Sequence, residues 1–177
     1  MGLDMYLRKG KKIPNKSFGQ IKKINDLITN YEDELVTEAY KDYVFECGTA
    51  FKYNSLFKEV AYWRKANEIH KWMVDNVQEG NDDCDYYLVT KEQIKELLET
   101  CKTVLEKAEV VELQNSKAIR NKDICEALLP TQAGFFFGGT GYDEYYIQDL
   151  EYTIKEFEKI LEEFDFENEY LIYTSSW

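Results

Sequence analysis

Glu59-Val-Ala-Tyr-Trp-Arg-Lys-Ala-Asn-Glu-Ile-His-Lys-Trp72 is the stretch on which the architecture turns, because it carries helical spacing on two adjacent faces. Tyr62, Ala66, Ile69, Met73 and Val77 recur at intervals of four and three, the stripe of an amphipathic helix. The spacing predicts one long helix from a cap at Ser55 to about Gln78, stopped by Gly80. A second stripe runs beside the first: Glu59, Trp63, Asn67, His70 and Val74, flanked by Arg64 and Lys71. A helix that buries one face needs no Asn or His on the adjoining one, so this polar and aromatic stripe is the informative one. A second stretch, Leu129-Pro-Thr-Gln-Ala-Gly-Phe-Phe-Phe-Gly-Gly-Thr-Gly-Tyr-Asp-Glu-Tyr-Tyr146, concentrates glycine and aromatic residues. Together the two stretches hold the only His and two of the three Trp, and they are expected to meet in space.

Outward from these, Gly2 to Leu7 alternates, with Leu3, Met5 and Leu7 on one side, as a strand with one buried face does. Arg8 to Lys16 then reads as a basic loop. Ser17 caps a predicted helix to about Asn30 with Ile21, Ile24, Leu27 and Ile28 as its stripe. Tyr31 to Lys41 is open between helix and loop, and Tyr43 to Tyr53 between strand and hairpin. Tyr86 to Val89 reads as a strand, and Thr90 with Gln93 forms a capping box ahead of an apolar stripe from Ile94 to Leu105. Glu109 to Lys122 breaks the periodicity and reads as a loop with a brief strand at Val110 to Leu113. A short helix from Asp123 ends before Pro130. Gly134 to Phe137 reads as a strand, Gly138 to Gly141 as a turn, and Thr140 as the cap of a helix carrying Tyr146, Leu150, Ile154, Phe157, Leu161 and Phe164. Tyr170 to Trp177 reads as a final strand. The expected class is α+β in one domain, 1–177: a small mixed or antiparallel sheet that includes both terminal strands, packed against several amphipathic helices.

The net charge of −12 argues against a sequence-independent grip on nucleic acid, which needs a basic face, and against anionic membrane surfaces. No apolar run reaches transmembrane length, and the first residues lack the apolar core of a signal peptide. The four cysteines form no C-x-x-C pair, which fits free thiols in a reducing cytoplasm and gives no zinc site. One histidine excludes every enzyme class that needs two or more, the two-histidine phosphoesterases among them. Asp82, Asp83 and Asp85 do not match an EF-hand, and a solvated acidic loop is the simpler account. Nothing in the chain calls for a cofactor or a metal.

Phe137-Gly-Gly-Thr-Gly-Tyr-Asp143 offers backbone amides to an anion, but no Lys-Ser/Thr follows as in a P-loop, and a tight turn is the bland alternative. Arg64 can hold a phosphate through two parallel hydrogen bonds, or equally pair with one of 34 acidic residues. His70 can act as a general base, or be a hydrogen-bonded structural histidine. Trp63, Tyr142 and Tyr145 can stack on a base, or simply fill the core.

The motifs Met1-Gly-Leu-Asp-Met-Tyr-Leu7, Tyr62-Trp-Arg-Lys-Ala-Asn-Glu-Ile-His-Lys-Trp72, Asp83-Cys84, Leu128 to Tyr146 and Ser175-Ser-Trp177 together span nearly the whole chain. In them the chain resembles a family of small proteins of bacteriophages and prophages, from which it departs by a longer Glu109 to Lys122 segment. The resemblance implies a phage accessory protein in the host cytoplasm, acting on the host or its immunity. Three functions stay open. The favoured one is sequestration, without turnover, of a small phosphorylated ligand, a nucleotide immune signal. Trp63, Tyr142 and Tyr145 would stack on it, Arg64 and the amides around Gly139 and Thr140 would hold phosphate, and Asn67 and His70 would read polar edges. The others are a protein that inhibits a host factor through an acidic and aromatic surface, and a hydrolase dependent on His70. A homodimer is the default oligomer, which nothing in the sequence decides.

Overall fold

Two strands from opposite ends of the chain lie side by side at the centre of the sheet. The computed structural model describes residues 2–114 and 116–177; Met1 of the first motif and Asn115 of the 109–122 segment lie outside the described residues. In chain order the elements are β1 (Asp4–Lys11), α1 (Phe18–Thr29), α2 (Glu34–Ala39), β2 (Phe45–Cys47), β3 (Tyr53–Ser55), β4 (Lys58–Arg64), α3 (Asn67–Asn76), β5 (Tyr87–Val89), α4 (Lys91–Lys107), β6 (Val110–Glu112), β7 (Lys117–Ile119), α5 (Asp123–Leu128), α6 (Glu144–Glu163) and β8 (Glu169–Ser176). The main sheet runs β4-β1-β8-β5, with each neighbouring pair antiparallel. The fold is α+β, as the alternation of strand and helix patterns predicts.

Burial explains the layers. Leu3, Met5 and Leu7, with Ala61 and Trp63 of β4 and Leu171 and Tyr173 of β8, face a core completed by α3, α4 and α6. Ile172, on the opposite face of β8, packs with Ile21 and Ile28 of α1 and with Phe57. Helices therefore cover one face heavily, while α1 covers part of the other. The capping boxes at Ser17/Gln20 and Thr90/Gln93 start α1 and α4 where the sequence places them. Among the described residues no helix is long and apolar enough to cross a membrane.

The long Ser55–Gln78 helix does not form. Lys58–Arg64 is a strand, Lys65 takes a left-handed turn at φ 63°, and only Asn67–Asn76 is helical. Strand β1 buries a row of apolar side chains and must pair on both edges to satisfy its amides, and β4 supplies one of those edges. Val60, Tyr62 and Trp63 suit that pleated setting. Gly134 to Phe137 is likewise irregular rather than a strand, and Asp143 rather than Thr140 caps α6, its Oδ1 accepting from the Tyr145 amide at 3.0 Å. Strand β1 also continues through Lys11, into the stretch read as loop.

Candidate functional site

Splitting the expected helix into strand, turn and helix changes which side chains can meet. Arg64 ends β4 and Lys65 makes the turn, so both lie exposed at one lip of a cavity. The facing lip is the glycine loop, where Gly138 has φ +90° and a side chain would meet Lys65 Cβ at 3.0 Å. Two left-handed residues thus oppose each other across the opening; Gly138 adopts this freely, whereas Lys65 is held there by its surroundings. The cavity, about 360 Å³, is lined by Arg64, Lys65, Glu68, Gly138, Gly139 and Gly141 but not Thr140, and, from the cap and start of α6, by Asp143, Tyr145, Tyr146 and Asp149. That volume is within the range of small-molecule sites.

Of the residues singled out in the sequence, Arg64, Gly139 and Tyr145 line this cavity. Asn67 stands behind it as a staple. Its Nδ2 donates to the carbonyls of Phe137 at 3.1 Å and Gly139 at 2.7 Å, and its Oδ1 accepts from the Gln132 amide at 2.8 Å. Further support comes from Leu3, whose amide donates to the Phe136 carbonyl, and from Thr131, whose hydroxyl donates to that of Thr140. Tyr142 is buried, its ring edge-on to Tyr146 at 4.9 Å. Trp63 lies in the core, donating to Thr153 Oγ1 at 2.9 Å and packing against Tyr152 and Phe157. It is placed to support α6 rather than to stack on a ligand.

His70 is wholly buried. Nδ1 bonds Tyr173 Oη at 2.7 Å, Nε2 bonds Asp82 Oδ2 at 3.1 Å, and Phe137 meets the ring edge-on. Trp177 Nε1 donates to the other Asp82 oxygen. Burial pushes the imidazole pKa below its usual value against the opposing pull of Asp82. With both nitrogens occupied, His70 ties α3 to β8 and to the acidic loop; its place is structural.

The residues that sequence reasoning missed are two of the cavity's three carboxyls, Glu68 and Asp149. Glu68, only 3% exposed, lies in the first turn of α3, and Asp149 lies in the second turn of α6. Burial raises both above the carboxylate range, Asp149 to about 7, because each charge is stripped of water and is then repelled by acidic neighbours. Asp149 itself adds to the upward push on Glu68, so the two carboxyls titrate as a pair. Glu68 Oε1 is buried with no donor among the described residues. Asp149 carried a signal, since it stands four residues after Tyr145 and four before Thr153 on one helical face. Glu68 carries none, because nothing in its chain neighbours marks it as buried.

Two cations at an exposed lip and three carboxyls, Glu68, Asp143 and Asp149, make the cavity bipolar. Among the described residues neither Arg64 nor Lys65 forms an ion pair, so both charges are available to a ligand. No group of three His, Cys, Asp or Glu able to hold a metal ion occurs among the described residues. The hairpin β6–β7 buttresses the far side, the Ile119 amide donating to the Tyr142 carbonyl at 3.0 Å. No protein-family model, curated protein or solved structure matches the chain.

Proposed function

We propose that this protein binds a small phosphorylated ligand, a nucleotide, in the cavity between the β4–α3 turn and the glycine loop, and holds it without turnover. The observation that carries this reading is the pair of cations Arg64 and Lys65, without an ion pair among the described residues, beside Gly138, Gly139 and the 76% exposed ring of Tyr145. Arginine and lysine take phosphate, and an exposed tyrosine offers a stacking face for a base. His70, the one imidazole available as general base, has both nitrogens engaged away from the cavity, which favours holding over hydrolysis. In the phage setting that the sequence resembles, such a site would sequester a nucleotide immune signal in the host cytoplasm.

The test is capture and release. Protein is mixed with cyclic di- and trinucleotides, ADP-ribose derivatives and common nucleotides, then filtered, heated and analysed by mass spectrometry. Release of an intact compound, lost in Arg64→Ala, supports the proposal. A chemically altered compound overturns the non-enzymatic reading. If nothing is depleted, the protein-inhibitor reading takes over, favoured by Phe135, which is 95% exposed on the same loop.

A further inference from the structure

Away from the cavity, the chain between α1 and β4 leaves large apolar side chains in water. Leu35 is 85% exposed and Phe51 91%, and Tyr31 and Tyr53 are exposed as well. Helix α2 buries none of its residues. Val36 and, at the helix end, Tyr40 pack in part against the cluster of Ile21, Ile28 and Phe57. Helical spacing then puts Leu35 on the outward side with Glu34 and Glu38. One exposed apolar residue is ordinary, but four on three adjoining segments make a patch. A groove of about 380 Å³ runs between α2, the end of α1 and β3, with Ile28 and Tyr53 in its wall. Tyr31 and Phe51 each adjoin a lining residue, Glu32 and Lys52.

The charge of this face says what covers it. Glu32, Glu34 and Glu38 line the groove, and the groove's cation, Lys52, is held by Glu46. Neither Glu32 nor Glu34 forms an ion pair among the described residues. Over residues 31–53, six acids stand against two lysines. A second copy of the chain, at net charge −12, would set these acids against one another, and nucleic acid or an anionic membrane is repelled. We propose that the α2 face docks a basic amphipathic helix of a partner protein. The apolar stripe of that helix lies against Leu35, Phe51 and Tyr53, and its Lys and Arg side chains reach Glu32, Glu34 and Glu38. This is helix-in-groove recognition, in which the apolar anchors give affinity and the charges set the rate of approach and the choice of partner. No residue of the groove lines the nucleotide cavity, so the two sites stand or fall separately.

The experiment is titration of the full chain, labelled for amide NMR, with a synthetic helical peptide of leucine on one face and lysine on the other. Two control peptides carry glutamate for lysine, or serine for leucine. The basic amphipathic peptide is expected to shift amides of residues 28–38 and 51–54 and to leave those of 138–149 in place. Both controls should bind at least tenfold more weakly. Leu35→Ser with Phe51→Ser, and separately Glu34→Lys with Glu38→Lys, should each weaken the basic peptide at least tenfold. All four side chains are exposed, so both variants should keep the circular dichroism spectrum of the parent chain. Three results overturn the proposal: no binding, shifts spread over the acidic surface at large, or affinity unchanged by Leu35→Ser with Phe51→Ser, which would be charge attraction alone. Sedimentation velocity covers the remaining occupant. A dimer that Leu35→Ser with Phe51→Ser converts to monomer puts a second copy on this face and overturns the basic partner.

Discussion

A carboxyl buried beside another carboxyl holds its proton against water, and this gives Glu68 and Asp149 a measurable signature. Their pKa values in the fold are raised, so the unfolded chain loses protons first as pH rises. The pair's unfavourable contribution is absent below the ordinary carboxylate range and grows as pH rises through about 7, where Asp149 titrates. Glu68→Gln should therefore raise the melting temperature at pH 8 and leave it nearly unchanged at pH 4, as read by thermal circular dichroism. His70 works at the other end of the scale. Its pKa is lowered, so stability is full above about 6.5, the usual histidine value, and is lost as pH falls. His70→Ala removes one buried and one half-buried hydrogen bond and much of a ring, at a cost of about 3 kcal/mol in urea unfolding. Nucleotide capture by the folded fraction should be unchanged, and loss of capture would return His70 to the site.

The glycine loop is the element on which the cavity depends, and Asn67 is what holds it. Asn67→Ala strands the Gln132 amide and the Phe137 and Gly139 carbonyls at once. Three hydrogen bonds at about 1 kcal/mol each put the expected loss near 3 kcal/mol. Amide exchange should accelerate across residues 132–140 before it changes in the sheet; unchanged protection there would show that Asn67 is not the staple. Gly138→Ala forces a side chain into the left-handed region and against Lys65, and should cost about 1–2 kcal/mol. Because Lys65 is the neighbour displaced, phosphate affinity should fall with it.

For the whole molecule, stability rests on two central strands that pair from Asp4↔Ser176 to Lys11↔Glu169. Contacts that close nearly the entire chain make folding slow relative to a helical bundle of this size. A chain ending at Phe166 lacks β8 and so exposes the facing edges of β1 and β5 together with the apolar row of Leu3, Met5 and Leu7. It is expected to show no cooperative thermal transition, where the intact chain shows one. A sharp transition in the shortened chain would mean that the helical layer folds without its sheet.

Much of this architecture is written locally. The alternation of Leu3, Met5 and Leu7, the boxes at Ser17/Gln20 and Thr90/Gln93, and the stripe from Tyr146 through Leu150 to Phe157 each carry their own period or cap, and each forms as read. The short β6–β7 hairpin was half legible, as a brief strand in a loop. The 59–72 stretch was not, because Tyr62, Trp63, Asn67 and His70 satisfy helical spacing while Val60, Ala61, Tyr62 and Trp63 also satisfy a strand. Only the open edge of β1 chose between them, and that edge is a tertiary fact. The choice carried the site with it. The sequence by itself determined the class, the two terminal strands, the three well-patterned helices α1, α4 and α6, and Arg64, Gly139 and Tyr145 as candidates. Tertiary structure decided that Trp63 and His70 belong to the interior and that Glu68 and Asp149 face one cavity, since a carboxyl's burial depends on what packs over it rather than on its neighbours in the chain.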